Sequence, residues 1–277
     1  MALEQRLLSR SRDTEVGLDR LRRRVLFERI VSRLHTAEPG RWVLKGGMAL
    51  EVRLRDDARL TKDIDLGLRD DVTGADELRE RLVEALEVDV DDDKFTLIPG
   101  SVKQLMEDDG GRPTWRVKIS AELAGRPFGG VQVDVSPRAH ELGATDLIPL
   151  PNSLDFAGIP APLVEIIDLN RHAAEKFHGM LRDFGDRENT RVRDLVDLVI
   201  LSEHELLKPS ALAAAVRLVW SERDGVSPPT ILPSLPPSWR GRYERLAAEH
   251  NVKAMSFPAA ASTAVMMWTE MFPPEET

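Results

Sequence analysis

At 277 residues the chain suits one large or two modest domains, since single cores stop growing efficiently near ~250–300 residues, and two are expected. No stretch approaches the ~18–20 apolar residues of a membrane span, and the amino-terminal MALEQRLLSRSRDTE has neither an apolar core nor a small-residue cleavage site, so a cytoplasmic protein with no membrane partner is expected. The absence of cysteine excludes disulfides, thiolate zinc sites and cysteine nucleophiles, while a net charge of -9 argues against tight sequence-independent nucleic-acid binding, which rests on Lys and Arg neutralising phosphates.

Leu18, Leu21, Val25, Ile30 and Leu34 recur at helical spacing and predict an amphipathic first helix over 16–35, with Arg20, Arg22, Arg23 and Arg24 on its remaining surface. Pro39-Gly40 ends it, residues 42–44 form a short apolar strand, and Gly46-Gly47 turn the chain into a helix over 48–54. Across 61–68 the period becomes two: Ile64, Leu66 and Leu68 face one way, and Thr61, Asp63, Asp65 and Gly67 the other. Thr73 is expected to cap a helix bearing Leu78, Leu82 and Leu86, with Asp76 in a weak capping box. A strand near 95–98 follows. Residues 115–123 alternate strictly, with Arg116, Lys118, Ser120 and Glu122 on the polar face. After a turn at 127–130, an antiparallel neighbour over 131–135 carries Gln132 and Asp134 opposite its valines.

The Pro-rich stretch 149–162 is the expected boundary between an amino-terminal domain, 1–150, and a helical domain, 151–277. Helices are expected over 163–181, 191–201, 210–221, 239–250 and 259–272, with 226–238 an extended connector. The acidic runs 56–57, 70–71, 89–93 and 107–109 read as solvated turns.

Two carboxylates at i and i+2 of a strand, Asp63 and Asp65, leave one face with Cα atoms about 6.5–7 Å apart and can converge on one or two hard cations. Magnesium suits such a site because it keeps several waters and takes its other ligands from substrate phosphates. The bland alternative is an edge strand whose acids face water. The context favours the metal: a Gly-Gly turn into a helix aims backbone N–H groups, at the positive end of a dipole, toward a triphosphate. Thr61 adds a hydroxyl on the Asp63 face, and Asp134 offers a third carboxylate from another strand. Lys176 would counter the charge of transferring phosphates as a compact cation; a solvated helix lysine is an equally good reading. Asp194, on the next helix, would orient Lys176 or the substrate, or else pair with Arg191 or Arg193. His172 and His178 are expected at the surface; the tryptophans are expected mostly in the core, with Trp239 the alternative candidate for a base-stacking ring.

These residues fall into a pattern: Gly46, Gly47, Ala49 and Leu50; Arg59, Thr61, Asp63, Ile64, Asp65 and Leu66; a lone Asp134; Glu175 and Lys176; and Arg191, Arg193, Asp194, Leu195, Asp197 and Leu198. In it the chain resembles the AbiEii/AbiGii nucleotidyltransferase toxins, which include the MenT-like toxins. One departure is EKFHG at 175–179, where the helix continues with His178 and Gly179. The resemblance implies an α+β fold: a polymerase-beta-like nucleotidyltransferase domain with a mixed sheet, then a helical substrate-binding domain. It also implies a toxin neutralised by a cognate antitoxin protein, adding nucleotides from a pyrimidine nucleoside triphosphate to the 3′ end of tRNA. Combined with the residue chemistry above, this makes Asp63, Asp65, Lys176 and Asp194 the catalytic candidates. Two Mg2+ ions would sit on Asp63, Asp65 and Asp134, and the nucleotide on Gly46, Gly47, Thr61 and Lys176. Rival readings are nucleotidylation or phosphorylation of a protein, which the acidic net charge favours, and an inactive interaction module; the basic segment 171–193 favours RNA.

Overall fold

The period-two segments of the first half pair, in a computed structural model, into one seven-stranded mixed sheet. The structure describes residues 2–14, 16–59, 61–89, 91–105, 113–137, 143, 145–186 and 188–274. The strands are β1 (Trp42–Lys45), β2 (Asp63–Leu68), β3 (Phe95–Gln104), β4 (Trp115–Leu123), β5 (Arg126–Pro137), β6 (Thr145–Pro149) and β7 (Leu163–Ile167). Their order is β3-β4-β5-β2-β1-β7-β6. Pairs β2/β5 and β1/β7 are parallel and the rest antiparallel. The apolar partners Ile64, Val133 and Val117 run in register across three central strands and are at most 1% exposed. Against the sheet pack α2 (Leu18–Ala37) and α4 (Ala75–Glu87); α1 (Ala2–Thr14), which the sequence did not announce, adds Leu3 and Leu7 to the same core.

Helix α2 is less amphipathic than its leucine spacing implies, because Glu28, Arg29, Ser32 and Arg33 are buried with the apolar residues. Arg33 donates to the Leu86 and Phe95 carbonyls and to Asp93 at 2.7–2.8 Å, and Arg29 to Asp91 at 2.7 Å. In the acidic run 89–93, Asp89 and Asp92 are exposed as expected, but Asp91 and Asp93 are the counter-ions that let two arginines enter the core. Asp70 likewise pairs with Arg41 and Arg81. The run 107–109 lies outside the described residues.

Three local expectations need correcting. The β4–β5 hairpin turns at Ala124-Gly125, both in the left-handed region (φ 49° and 74°), as a two-residue turn joining twisted strands requires, so β5 starts before the expected turn at 127–130. Thr73 does not cap α4, whose N-cap is Gly74 with no side-chain bond; instead the Glu77 carboxylate, not Asp76, reaches back and accepts from the Thr73 N–H at 2.8 Å and from the Thr73 hydroxyl. Leu163–Ile167 forms strand β7 and not the first turn of a helix, a short apolar run being compatible with either period.

Two compact units result, Met1–Val52 with Thr61–Ile167 and Arg53–Leu60 with Asp168–Thr277. The Pro-rich stretch 149–162 thus joins β6 to β7 inside the first unit, and the chain passes to the second at Asp168. That unit holds α5 (Leu169–Leu181), capped by Asp168 on the Arg171 N–H at 2.8 Å, then α6 (Val192–Glu203), α7 (Pro209–Asp224), α8 (Arg240–Glu249) and α9 (Phe257–Met271). The short helix α3 (Gly46–Leu54) begins in the first unit. Phe177, Trp220 and Trp268 stack edge to face at the centre of the helical unit. Trp239 is buried there and donates to the Asn189 carbonyl at 2.7 Å, so its ring is no stacking platform. His172 and His178 are also buried, contrary to expectation; His178 lies edge-on to Trp220 and 2.9 Å from Asp224.

Candidate active site

Strand pairing lays out the polar face of the sheet. Asp63 and Asp65 leave β2 on the side opposite buried Ile64 and Leu66, and both are partly exposed. Residues directly opposite each other on paired strands point to the same face, so the register Lys45↔Asp65↔Asp134↔Arg116 across β1, β2, β5 and β4 forms a charged row in which two carboxylates lie between two cations. Asp63 stands beside the row, opposite Gln132.

Gly46 follows Lys45 and opens α3 with a φ of 59°, a left-handed conformation that L side chains rarely adopt. A Cβ there would overlap the Asp65 carboxylate, falling 2.5 Å from its Cγ. Glycine is thus required twice, once by the turn and once by Asp65 lying flat on its backbone. Gly47, buried, continues into the first turn of α3. Thr61 precedes β2 and donates its hydroxyl to the Asp63 carbonyl at 3.1 Å, leaving the oxygen as an acceptor toward its surroundings.

Asp134 has a partner the sequence reading did not assign. Arg116 grips it with a two-pronged fork, Nε to one oxygen at 2.8 Å and a terminal nitrogen to the other at 2.7 Å. This bond, the largest influence, raises the guanidinium pKa against partial burial, and the charges of Asp134, Asp63 and Asp65 raise it further. All three carboxylates therefore act on one point of the face. Hard carboxylate oxygens are the donors Mg2+ takes, so Asp63 and Asp65 are the pair that could hold one, while Asp134 is engaged by Arg116. Among the described residues no group of three His, Cys, Asp or Glu side chains is arranged as a ready metal cluster.

The second unit contains a different cluster. Lys176 on α5 donates to Asp197 at 2.6 Å and to Asp194 at 3.3 Å, both on α6, and Arg59 adds two bonds to Asp197 at 3.0 and 3.2 Å. Lys176 is thus not the solvated helix lysine of the bland reading. Burial alone would lower its pKa, but Asp197 and Asp194 outweigh that and raise it, so it stays charged. Burial likewise pushes Asp197 up, and the opposing pull of Lys176 and Arg59 holds it down at about 2. Asp194 also meets Arg191 at 3.3 Å, which joins two of its expected roles. Gly179, the departure in EKFHG, lies under this pair: a Cβ there would come 3.3 Å from an Asp194 oxygen.

The structure therefore brings Gly46, Asp63, Asp65 and Asp134 to one face, and Lys176 and Asp194 to one ion cluster. Missed by the sequence reading were Lys45, one residue past the expected end of its strand, Arg116, and the binding of Arg59 to Asp197. The turn alone would set Arg116 opposite Val133; a register shift between Ala121 and Glu122 moves the pairing by one residue and brings Arg116 opposite Asp134.

The family model described as nucleotidyl transferase AbiEii toxin of a type IV toxin–antitoxin system matches residues 29–263. Among solved structures, MenT4, a nucleotidyltransferase toxin from Mycobacterium tuberculosis H37Rv, is similar at 17% identity and TM-score 0.60, over 98% of this chain and 90% of that one. A crystal structure titled as a putative nucleotidyltransferase from H. pylori is similar at 16% identity and TM-score 0.50, over 95% and 100% respectively. Both likenesses concern the α+β fold. No curated protein sequence matches the chain.

Proposed function

The chain belongs to the AbiEii nucleotidyltransferase toxins of type IV toxin–antitoxin systems, and from that premise we propose that it transfers nucleotides from a pyrimidine nucleoside triphosphate to the 3′ end of tRNA. The observation that carries this reading is the polar sheet face, where Asp65 lies on Gly46 at a strand-to-helix turn, in register with Asp134 and two positions from Asp63. A triphosphate would meet hard carboxylate oxygens and helix-terminal N–H groups together.

In the proposed reaction the terminal ribose hydroxyl of the acceptor attacks the α-phosphate in line. A new P–O bond forms, the bond to the β-phosphate bridging oxygen breaks, pyrophosphate leaves, and the hydroxyl proton passes to solvent. Two Mg2+ ions on Asp63 and Asp65, with Asp134 completing the site, would neutralise the triphosphate and ease loss of that proton. Backbone N–H groups of Gly46 and Gly47 and the Thr61 hydroxyl would position phosphate oxygens. Lys176, held charged by Asp197 and Asp194, would counter charge on the phosphates, with Asp194 orienting its ammonium. Arg191 and Arg193, exposed at the start of α6, are cations of the basic segment that an RNA acceptor could meet. The reading includes a cytoplasmic toxin neutralised by a cognate antitoxin protein; among the described residues no helix is long and apolar enough to cross a membrane.

The test is to incubate purified protein with total RNA and each labelled nucleoside triphosphate in turn, with and without a chelator. Chelator-sensitive incorporation of a pyrimidine nucleotide into tRNA is expected. Label on protein instead of RNA would overturn the acceptor, and chelator-resistant transfer would overturn the metal.

A further inference from the structure

The charged row holds a cation that the proposed chemistry does not use. Arg116 engages both oxygens of Asp134, the carboxylate meant to complete the metal site, and the same guanidinium lies in the field of Asp63 and Asp65. A forked guanidinium takes one in-plane lone pair on each carboxylate oxygen, two of about four, so a divalent ion approaching both oxygens from that side must displace it. Arginine cannot give up its charge by losing a proton. Arg116 and a divalent ion held by both oxygens on that side are therefore alternatives at Asp134. The guanidinium is also the more exposed partner: its side chain is 40% exposed against 14% for Asp134, so it can leave toward solvent or a phosphate without opening the core.

We propose that Arg116 is the resident counter-cation of the carboxylate face, a positioning residue that occupies Asp134 in the nucleotide-free protein and must release it before both oxygens of Asp134 can hold a divalent ion. The proposal rests on reading Asp63 and Asp65 as metal ligands. It assigns Arg116 a function that neither stability nor a simple phosphate contact would give it: keeping a three-carboxylate face neutral enough to persist, and limiting metal uptake until substrate arrives.

The test measures metal binding directly. Mn2+, which occupies oxygen sites and whose free ion is counted by its paramagnetic resonance signal, is titrated into the full-length protein without nucleotide. Arg116→Gln should tighten Mn2+ binding on the order of 10-fold or more, the scale on which groups hydrogen-bonded to metal ligands act. Asp134→Asn alone should not tighten it, and the double variant Arg116→Gln/Asp134→Asn should lose the gain. Arg116→Lys, which keeps the charge without the fork, should give a smaller gain than Arg116→Gln. Thermal melts confirm that each variant is folded. No gain in Arg116→Gln, or a gain that survives loss of Asp134, overturns the proposal. The reading beneath it fails separately: if Asp63→Asn/Asp65→Asn binds Mn2+ as wild type does, those residues are not metal ligands, and any Arg116 effect belongs to another site.

Discussion

On the sheet, Asp63, Asp65 and Asp134 remain partly open to solvent, whereas on α5 and α6 Lys176, Asp194 and Asp197 are closed in and satisfied by one another. The difference lies in what each charge costs. A half-exposed carboxylate is still partly hydrated and can exchange partners, from Arg116 to a metal or a phosphate, at little expense. A buried one has lost its water and depends on its neighbours, so removing a partner strands an uncompensated charge. Chemistry is expected to dominate on the sheet, and stability in the helical cluster.

The largest expected effect on stability is at Asp197, which is 1% exposed and binds both Lys176 and Arg59. Asp197→Ala should cost ~3–5 kcal/mol in urea unfolding; a loss under ~1 kcal/mol would break the comparison. Because Asp197 is held at about 2, below its ordinary 3.8, its stabilising contribution is present above that ordinary value and fades as pH falls toward 2.

Lys176 is where the two regimes meet. If it touches the phosphates as proposed, Lys176→Ala lowers turnover ~10²–10³-fold while also destabilising the fold, so rates must be measured on the folded fraction. Lys176→Arg should restore part of each. Lost stability with unchanged turnover of the folded fraction would make Lys176 purely structural.

Glu28 sharpens the comparison from the opposite side. Like Asp197 it is buried, but it accepts from the Ser153 N–H at 2.8 Å and the Ser153 hydroxyl at 2.7 Å, and burial raises its pKa from 4.5 to about 7 despite these bonds. An acid raised on folding stabilises fully below its unfolded pKa. That contribution is lost as pH rises from 4.5 through about 7. Glu28→Gln should remove this pH dependence and be more stable than wild type at pH ~8 by on the order of 3 kcal/mol. Parallel stability curves for the two proteins between pH ~4 and ~8 would contradict it.

A smaller effect on stability is expected at Gly46. Gly46→Ala meets both a left-handed φ and the Asp65 side chain, a strain of ~1–3 kcal/mol. Its effect on transfer should be far larger than that strain implies, because Asp65 must move. Normal transfer in this variant would show that the placement of Asp65 is unimportant.

How far the sequence revealed this depended on the range of the interaction. Asp63 and Asp65 were legible because strand alternation fixes the face of i and i+2 residues before any tertiary fold is known. The strands of the first half and the helices of the second followed from the same change of period, whereas the mixed sheet was implied by the family resemblance. Arg116 was visible on a polar face, but its pairing depended on a two-residue turn whose first position is Ala124, which gives no signal for a positive φ, and on a one-residue register shift between Ala121 and Glu122. The Lys176, Asp197 and Arg59 cluster was hidden for a different reason. It depends on how α5 packs on α6 and on a segment far upstream, and helical spacing gives neither. β7 was read as helix because a short apolar run fits both periods.

The most direct measurement sets transfer against folding for the two β2 acids. Single-turnover nucleotide transfer to RNA and urea unfolding are measured for Asp63→Ala and Asp65→Ala beside wild type. Transfer should fall by at least ~10²–10³-fold in each, with unfolding free energies within ~1 kcal/mol of wild type, since neither change empties an apolar core. Near-wild-type transfer by either variant in magnesium would contradict the assignment of this sheet face as the catalytic centre.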